Sequence, residues 1–314
     1  MDSSPRIVSL LPAATEIVAA LGLTRALVGR SHECDEPAEV ATLPALTSPR
    51  IDASASSRRI HDQVERALGD GRTGSTALYD LDAERLAALE PDLILTQAAC
   101  DVCAIAADDV RAAVRRMDAP ARVLELSPAT LADVFADILT VGMAAGTPAR
   151  AREVVARLRA RVASVACRVR AASRQAAACP AVCIIEWLDP PMAAGNWVPE
   201  LVGLAGGRDP LGTPGAHSHW IRWDDVIAAD PDVVVLVPCG FTLDRIVAEV
   251  ESPALRNRLK MLRAFRERRV YAVDGHHLFN RPGPRLVDSL EVLADLLHPG
   301  MFAFPATTRF ARRL

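Results

Sequence analysis

Lysine is almost missing from this chain: of its 36 basic residues only Lys260 is a lysine, and the rest are arginines. Set against 39 acidic residues, the formal net charge is -3, so nothing pulls the whole molecule towards nucleic acid or an anionic membrane surface. Local basic clusters such as Arg263, Arg266, Arg268 and Arg269 read as the solvated face of a helix. Long apolar runs are also lacking. Hydrophobic residues make up 50% of the chain, yet no stretch reaches the ~18 residues a membrane span needs, so no membrane insertion is expected. The opening segment, Met1 to Val8, has no basic n-region, apolar h-region or cleavage site. As written, the chain is therefore expected in the cytosol; a longer reading frame carrying a leader would place it outside the cytoplasmic membrane. Seven cysteines, an odd number scattered without a framework, argue against a disulfide scaffold. A P-loop, a G-x-G-x-x-G fingerprint, an H-E-x-x-H pair and a Ser-His-Asp order are all absent, which removes the usual arguments for catalysis.

What is present is an alternation of strands and helices over 314 residues, too many for one small core. A strand at 6–10 leads to a helix, with Thr15 read as its N-cap and Gly22 as its stop. A second strand follows at 26–29, a polar helix lies within 48–80, and a helix is expected over 81–89. A buried strand at 93–96, a helix at 104–117 and a strand at 122–126 complete this part. Ser127 and Thr147-Pro148 read as further helix starts, Pro148 standing at the first helical position. From Ala149 to Cys179 there is no glycine or proline, and Ala, Val and Leu recur at helical spacing. After Pro180 the alternation restarts, with strands at 181–186 and 233–237 and helices at 199–205 and 223–229. The segment Leu86 to Leu95, helix then Pro91-Asp92 then strand, is echoed by Val226 to Val235 around Pro231-Asp232. The expected architecture is α/β, with two lobes at 1–147 and 179–314 and one long bridging helix at 148–178.

Three segments carry a resemblance: Arg6 to Glu16 (RIVSLLPAATE), the Glu-Pro-Asp-Leu-Ile-Leu turn and strand at 90–95, and Gly195 to Leu201 (GNWVPEL). With the bridging helix, they make residues 5–300 similar to the substrate-binding proteins of cobalamin and iron-siderophore ABC importers. The resemblance implies two Rossmann-like lobes on a rigid helix, the class III periplasmic-binding-protein fold. It also implies a ligand held between the lobes, such as cobalamin or another large metal chelate, with no catalysis and no required cofactor. The implied partner is an ABC permease dimer, met through one acid on each lobe. These acids match Glu84 and Asp224, each seven residues before its Pro-Asp turn. The tryptophans that flank the corrin in the cobalamin receptor have no clear match; Ser218 falls near one such position, two residues from Trp220.

In doubly wound sheets ligands sit beyond the carboxyl ends of the strands. That rule selects the loops at 11–14, 31–35, 97–103, 186–197, 217–220, 239–241 and 274–281. They hold four of the seven cysteines, five of the seven histidines and three of the four tryptophans. Candidate ligand contacts are Pro12, His32, Glu33, Gln97 and Cys100 in the first half, and Trp187, Trp197, His219, Trp220, Phe241, His276 and Arg281 in the second. Loop tryptophans suit large flat ligands, histidines suit borderline metals, and Arg281 suits a carboxylate or phosphate. The rival reading is a cytosolic metal or redox protein on the same fold. It would use Cys100 and Cys103 as metal or redox thiols at a helix N-terminus, together with Cys34 and Cys239. A second CxxC with zinc-like spacing is missing, which argues against a four-cysteine zinc site.

Overall fold

A computed structural model describes residues 5–69, 78–97, 107–117, 121–173 and 179–314. The chain divides into two compact units. The first comprises Met1–Ala55, Arg59–Pro128 and Ala132–Ala156; the second comprises Ser56–Arg58, Ala129–Leu131 and Arg157–Leu314. The elements up to the boundary run β1 (Ile7–Ser9), α1 (Pro12–Ala20), β2 (Leu27–Arg30), β3 (Thr47–Pro49), α2 (Ser57–Gly69), β4 (Tyr79–Leu81), α3 (Ala83–Ala88), β5 (Leu93–Gln97), α4 (Ala107–Val114), β6 (Arg122–Leu126), α5 (Leu131–Ala144) and α6 (Pro148–Ser173). Beyond it come β7 (Val182–Leu188), β8 (Pro191–Ala193), α7 (Val198–Leu204), β9 (His219–Trp220), α8 (Trp223–Ala229), β10 (Val233–Leu236), α9 (Leu243–Val250) and α10 (Pro253–Met261). The chain ends with α11 (Arg263–Arg266), β11 (Val270–Val273), α12 (Leu286–Leu297), α13 (Pro305–Phe310) and β12 (Ala311–Arg313).

The first unit is built on a parallel sheet in the order β2-β1-β5-β6, with β3 and β4 forming a separate antiparallel ribbon. Parallel strands covered on both faces read as continuous apolar runs, and Leu93, Ile94 and Leu95 are at most 2% exposed. Val8, Leu10, Leu86, Ile94 and Val110 share the core of this unit. The second unit has the order β12-β11-β10-β7-β8-β9. Its centre, β11-β10-β7, is parallel, while β12 and β8 pair antiparallel at either side.

Helix α6 is uninterrupted for 26 residues, about 39 Å at ~1.5 Å per residue. Its buried positions, Ala151, Val154, Val155, Leu158, Val165, Ala166 and Val169, keep one helical stripe inside and leave most arginines outside. The division between the units falls within it, after Ala156. The last part of the expected bridging segment, 174–178, lies outside the described residues. Among the described residues no helix is long and apolar enough to cross a membrane.

The echo between the two Pro-Asp segments is a repeat in three dimensions. Asp92 accepts the Arg6 backbone N–H at 2.7 Å, and Asp232 accepts that of Ala181 at 2.7 Å. In return the Asp92 N–H donates to Arg6 O at 2.9 Å and the Asp232 N–H to Ala181 O at 2.8 Å. Each aspartate thus aligns the start of its strand with the neighbouring strand. The residue before each proline, Glu90 or Asp230, is left-handed, with φ of 41° and 39°. An arginine caps the spare carbonyls at each corner: Arg6 donates to Leu89 O and Glu90 O, and Arg263 to Asp230 O.

Several expected boundaries shift for local reasons. Helix α1 begins at Pro12, not after Thr15, because a proline at N1 lacks the N–H that a first turn cannot use. Leu81 pairs with Thr47 in a strand instead of opening a helix; Asp82 caps α3 by accepting the Arg85 N–H at 2.9 Å. Ser127 starts no helix, since the following Pro128 disfavours helical backbone at the residue before it. Of the helix expected at 104–117, α4 covers Ala107–Val114, and 104–106 lie outside the described residues.

Candidate functional site

In the first unit, the carboxyl ends of β1 and β2 hold a set of buried hydroxyls. Thr15, one turn into α1, donates to Ser9 Oγ at 2.8 Å and lies 3.0 Å from Cys34 Sγ. Cys34 is fully buried, so its thiol is a packed hydrogen-bonding group. Thr47 Oγ1 bonds Ser31 Oγ at 3.0 Å and lies 2.7 Å from His32 Nδ1, and it accepts the His32 N–H. The His32 ring tilts against Tyr79 with centroids 5.4 Å apart. Burial and the nearby Arg30 guanidinium both hold its pKa below the ordinary histidine value, keeping the imidazole neutral. Arg30 also donates to the carbonyls of Ser31, His32, Ala41 and Leu43, tying down the loop that carries these groups. Pro12 and Glu33 are half-buried beside them. Gln97 ends β5; Cys100 and Cys103 lie outside the described residues.

In the second unit, the three parallel strands end in two polar centres. Glu186, on β7, is 7% exposed. It accepts the Ser218 hydroxyl at 2.5 Å and a backbone hydrogen bond from Gly195. Burial, reinforced by the charge of Asp209, pushes its carboxyl up to about 7 despite those two donors. The other centre is Asp274, just past β11 and 6% exposed. Its Oδ1 accepts the backbone N–H groups of His276 and His277 and faces His277 Nδ1 at 3.0 Å; its Oδ2 accepts the Leu243 N–H. Burial alone would raise this carboxyl, but the donors, led by His277, outweigh it and hold the pKa below the usual value. Arg281, 7% exposed, has Nη2 3.1 Å from His276 Nε2.

Two of the three tryptophans read as loop residues, Trp187 and Trp220, fall on strands, while Trp197 lies in a turn as expected. Trp187 lies in β7, edge-on to Phe241 at 5.4 Å, and its indole donates to Ser57 O at 3.2 Å. Trp197 precedes α7, is 9% exposed and donates to Phe279 O at 2.7 Å. Phe241, 1% exposed, lies under the Arg245 guanidinium at 3.4 Å. His219 and Trp220 make up β9, paired with Ala193 and Met192, and Trp220 is 54% exposed. The strand-end rule thus brings Trp187, Phe241, His276 and Arg281 to one end of one sheet, while Trp197 and Phe241 offer little surface. Glu84 and Asp224 occupy matching places, each exposed and second in a short helix that runs into a Pro-Asp corner.

The structure adds groups that were not named as ligand contacts: Glu186, Asp274 and the cluster of Ser9, Thr15, Ser31 and Thr47. Glu186 had a signal, as the lone acid ending the apolar run Val182 to Ile185. Asp274-Gly275 had another, since an aspartate before glycine commonly receives the backbone N–H two residues on.

Solved structures of similar fold include proteins named for haem and for vitamin B12 binding. A periplasmic haem-binding protein from Pseudomonas aeruginosa superimposes with a TM-score of 0.70 at 23% identity, over 97% of this chain and 96% of that one. The periplasmic vitamin B12-binding protein BtuF of Vibrio cholerae gives 0.66 at 20% identity, over 94% and 96%. In sequence, the chain is 24% identical over 303 residues to an uncharacterized ABC transporter substrate-binding lipoprotein, YvrC, of Bacillus subtilis, covering 95% of this chain and 81% of that protein. The family model described as periplasmic binding protein matches residues 7–276, and a family so described gives no support to the cytosolic expectation. With that match across most of its length, the chain belongs to the periplasmic binding protein family, whose members bind substrates for transport and are not enzymes.

Proposed function

We propose that this chain is the substrate-binding protein of an ABC importer, working outside the cytoplasmic membrane, and that its ligand is a metal-bearing macrocycle of the cobalamin or haem kind. The observation that carries the reading is the strand-end cluster of the second unit, where Asp274 orders two histidines beside the buried Arg281. Imidazoles suit a metal centre, and a guanidinium suits a carboxylate on the rim of a macrocycle. Trp187 and the exposed Trp220 both stand in register with Met192 on β8 and supply aromatic surface to that sheet. Support also comes from the haem- and B12-binding proteins that share the fold. Glu84 and Asp224 are the proposed contacts for permease arginines; their matching places at the two Pro-Asp corners suit a partner with two equivalent halves. The rival thiol chemistry gains nothing from Cys34, which is buried against Thr15.

The test is a titration of the purified protein with cobalamin and, separately, with hemin, followed by calorimetry and the visible spectrum. One of the two is expected to bind at roughly micromolar Kd or tighter, about -8 kcal/mol. Failure of both to bind would overturn the macrocycle reading.

A further inference from the structure

Basic residues crowd the end of α10 and the whole of α11: of the fourteen residues from Arg256 to Arg269, seven are basic and only Glu267 is acidic. The structure divides them by what they meet. Arg256 pairs with Glu251, and Arg263 with Asp230, Asp232 and Glu267. Arg269 is half-buried and donates to Leu297 O at 3.4 Å. Arg258, Lys260, Arg266 and Arg268 are all exposed, and among the described residues none of the four pairs with a carboxylate. Met261 stands in the middle of them and is 63% exposed.

Arg268 adds a second observation. It closes α11 in a left-handed turn, with φ of 59°. Its N–H donates to Phe265 O at 3.1 Å, and the next N–H, of Arg269, donates to Ala264 O at 2.7 Å. This is the helix stop in which glycine is favoured, because a side chain crowds a left-handed backbone. The fold gains no ion pair from the arginine placed there, which leaves an external partner for its charge to serve.

Four unneutralised cations around one flexible apolar side chain match an anionic lipid surface, where headgroup phosphates attract each cation and the boundary with the acyl chains takes the methionine. Duplex nucleic acid has the charge but offers no apolar phase to Met261. We propose that the α10–α11 end of the second unit adsorbs to an anionic lipid bilayer through Arg258, Lys260, Arg266 and Arg268, with Met261 entering the headgroup layer. The net charge of -3 gives the whole molecule no such pull, and a local patch needs none. Arg263 donates to Asp230 O at the turn that opens β10, so α11 lies at the amino end of that strand. The Asp274 cluster lies past the carboxyl end of β11, the parallel neighbour of β10. Adsorption by the α11 end therefore leaves the proposed ligand loops open to solvent, and the proposal stands whatever the ligand is.

The test is co-sedimentation of the full chain with vesicles of phosphatidylcholine, with and without about one-third phosphatidylglycerol, at low and at high salt. Binding is expected only to the anionic vesicles and should be lost at high salt. Neutralising Arg258, Lys260 or Arg266 to glutamine should weaken it about fivefold for each charge. Met261→Ser should weaken it while leaving the salt dependence unchanged. Arg268→Gly should also weaken it about fivefold while keeping or raising the urea midpoint, a split that a structural role for this arginine would not give. Arg170→Gln removes the same charge from an exposed site on α6 and should leave binding as it was. Equal binding to both kinds of vesicle, no binding to either, or an equal loss from Arg170→Gln would overturn the proposal. So would tighter binding to a DNA duplex than to the anionic vesicles under the same salt.

Discussion

Gly275→Ala is expected to destabilise the second unit by about 3–5 kcal/mol, at the upper end for a single added methyl group. A Cβ at this position would stand 2.1 Å from Pro238 O and 2.9 Å from both Pro238 C and Val237 O. All three are backbone atoms of the segment that leaves β10, so no side chain can swing aside. Gly275 sits between Asp274 and His276, and its own N–H and C=O bond the chain at Phe241 and Gly240. The close approach therefore joins the ends of β10 and β11 at the place where the histidines are ordered. Gly203→Ala is the matched control: it lies in α7 with nothing within 4 Å of an added Cβ, and there alanine should be neutral or stabilising by up to ~1 kcal/mol. Urea denaturation of both variants gives the comparison. Equal midpoints would show that the strand ends can spread apart.

The second large effect is on the pH dependence of stability. Glu186 has an ordinary carboxyl value of 4.5 when unfolded and is pushed up to about 7 in the fold. Between those values the folded chain holds a proton that the unfolded chain has lost, so stability falls as pH rises through the window. At about 1.4 kcal/mol per pH unit, the loss from this group approaches 3 kcal/mol and is complete above pH 7. Glu186→Gln should remove that slope and be the more stable protein at pH 8, with Ser218 still able to donate to the amide oxygen. Asp232 and Asp274, whose pKa values are lowered, act in the opposite sense and at more acid pH, where their contribution is lost as pH falls. Subtracting the variant's stability curve from that of wild type isolates Glu186. A difference that stays flat from pH 4.5 to 7.5 would show that water reaches this carboxyl.

The fold was legible where the pattern was strong. The glycine- and proline-free arginine-rich run became α6, and the doubled Pro-Asp segment became two corners with the same hydrogen bonds. Helix α8 begins and ends at the expected residues, Trp223 and Ala229. Legibility failed where one local group outranked periodicity, as Pro12 did over Thr15 and Asp82 over Leu81. The site was legible as a set of loops but not as a set of contacts. Sequence places His276 and His277 side by side; only the folded turn shows that Arg281 takes one ring and Asp274 the other. Burial was the least visible property. Trp197 and Phe241 look alike in sequence to the exposed Trp220, yet each is buried and meets a group far along the chain, the Phe279 carbonyl at the Trp197 indole and the Trp187 ring at Phe241.

The solitary lysine has a practical consequence. Lys260 is exposed on α10, one residue before that helix ends at Met261. A protease that cuts only after lysine therefore has one scissile bond in the whole chain. That bond lies on helical backbone, which a protease must first unwind before it can cut. The cut would part β11 from its partner strand β10 and leave β11, α12, α13 and β12 together on the smaller fragment. The rate at which one band becomes two thus reports the opening of a single named turn of helix, and the same gel can follow how a bound ligand slows it.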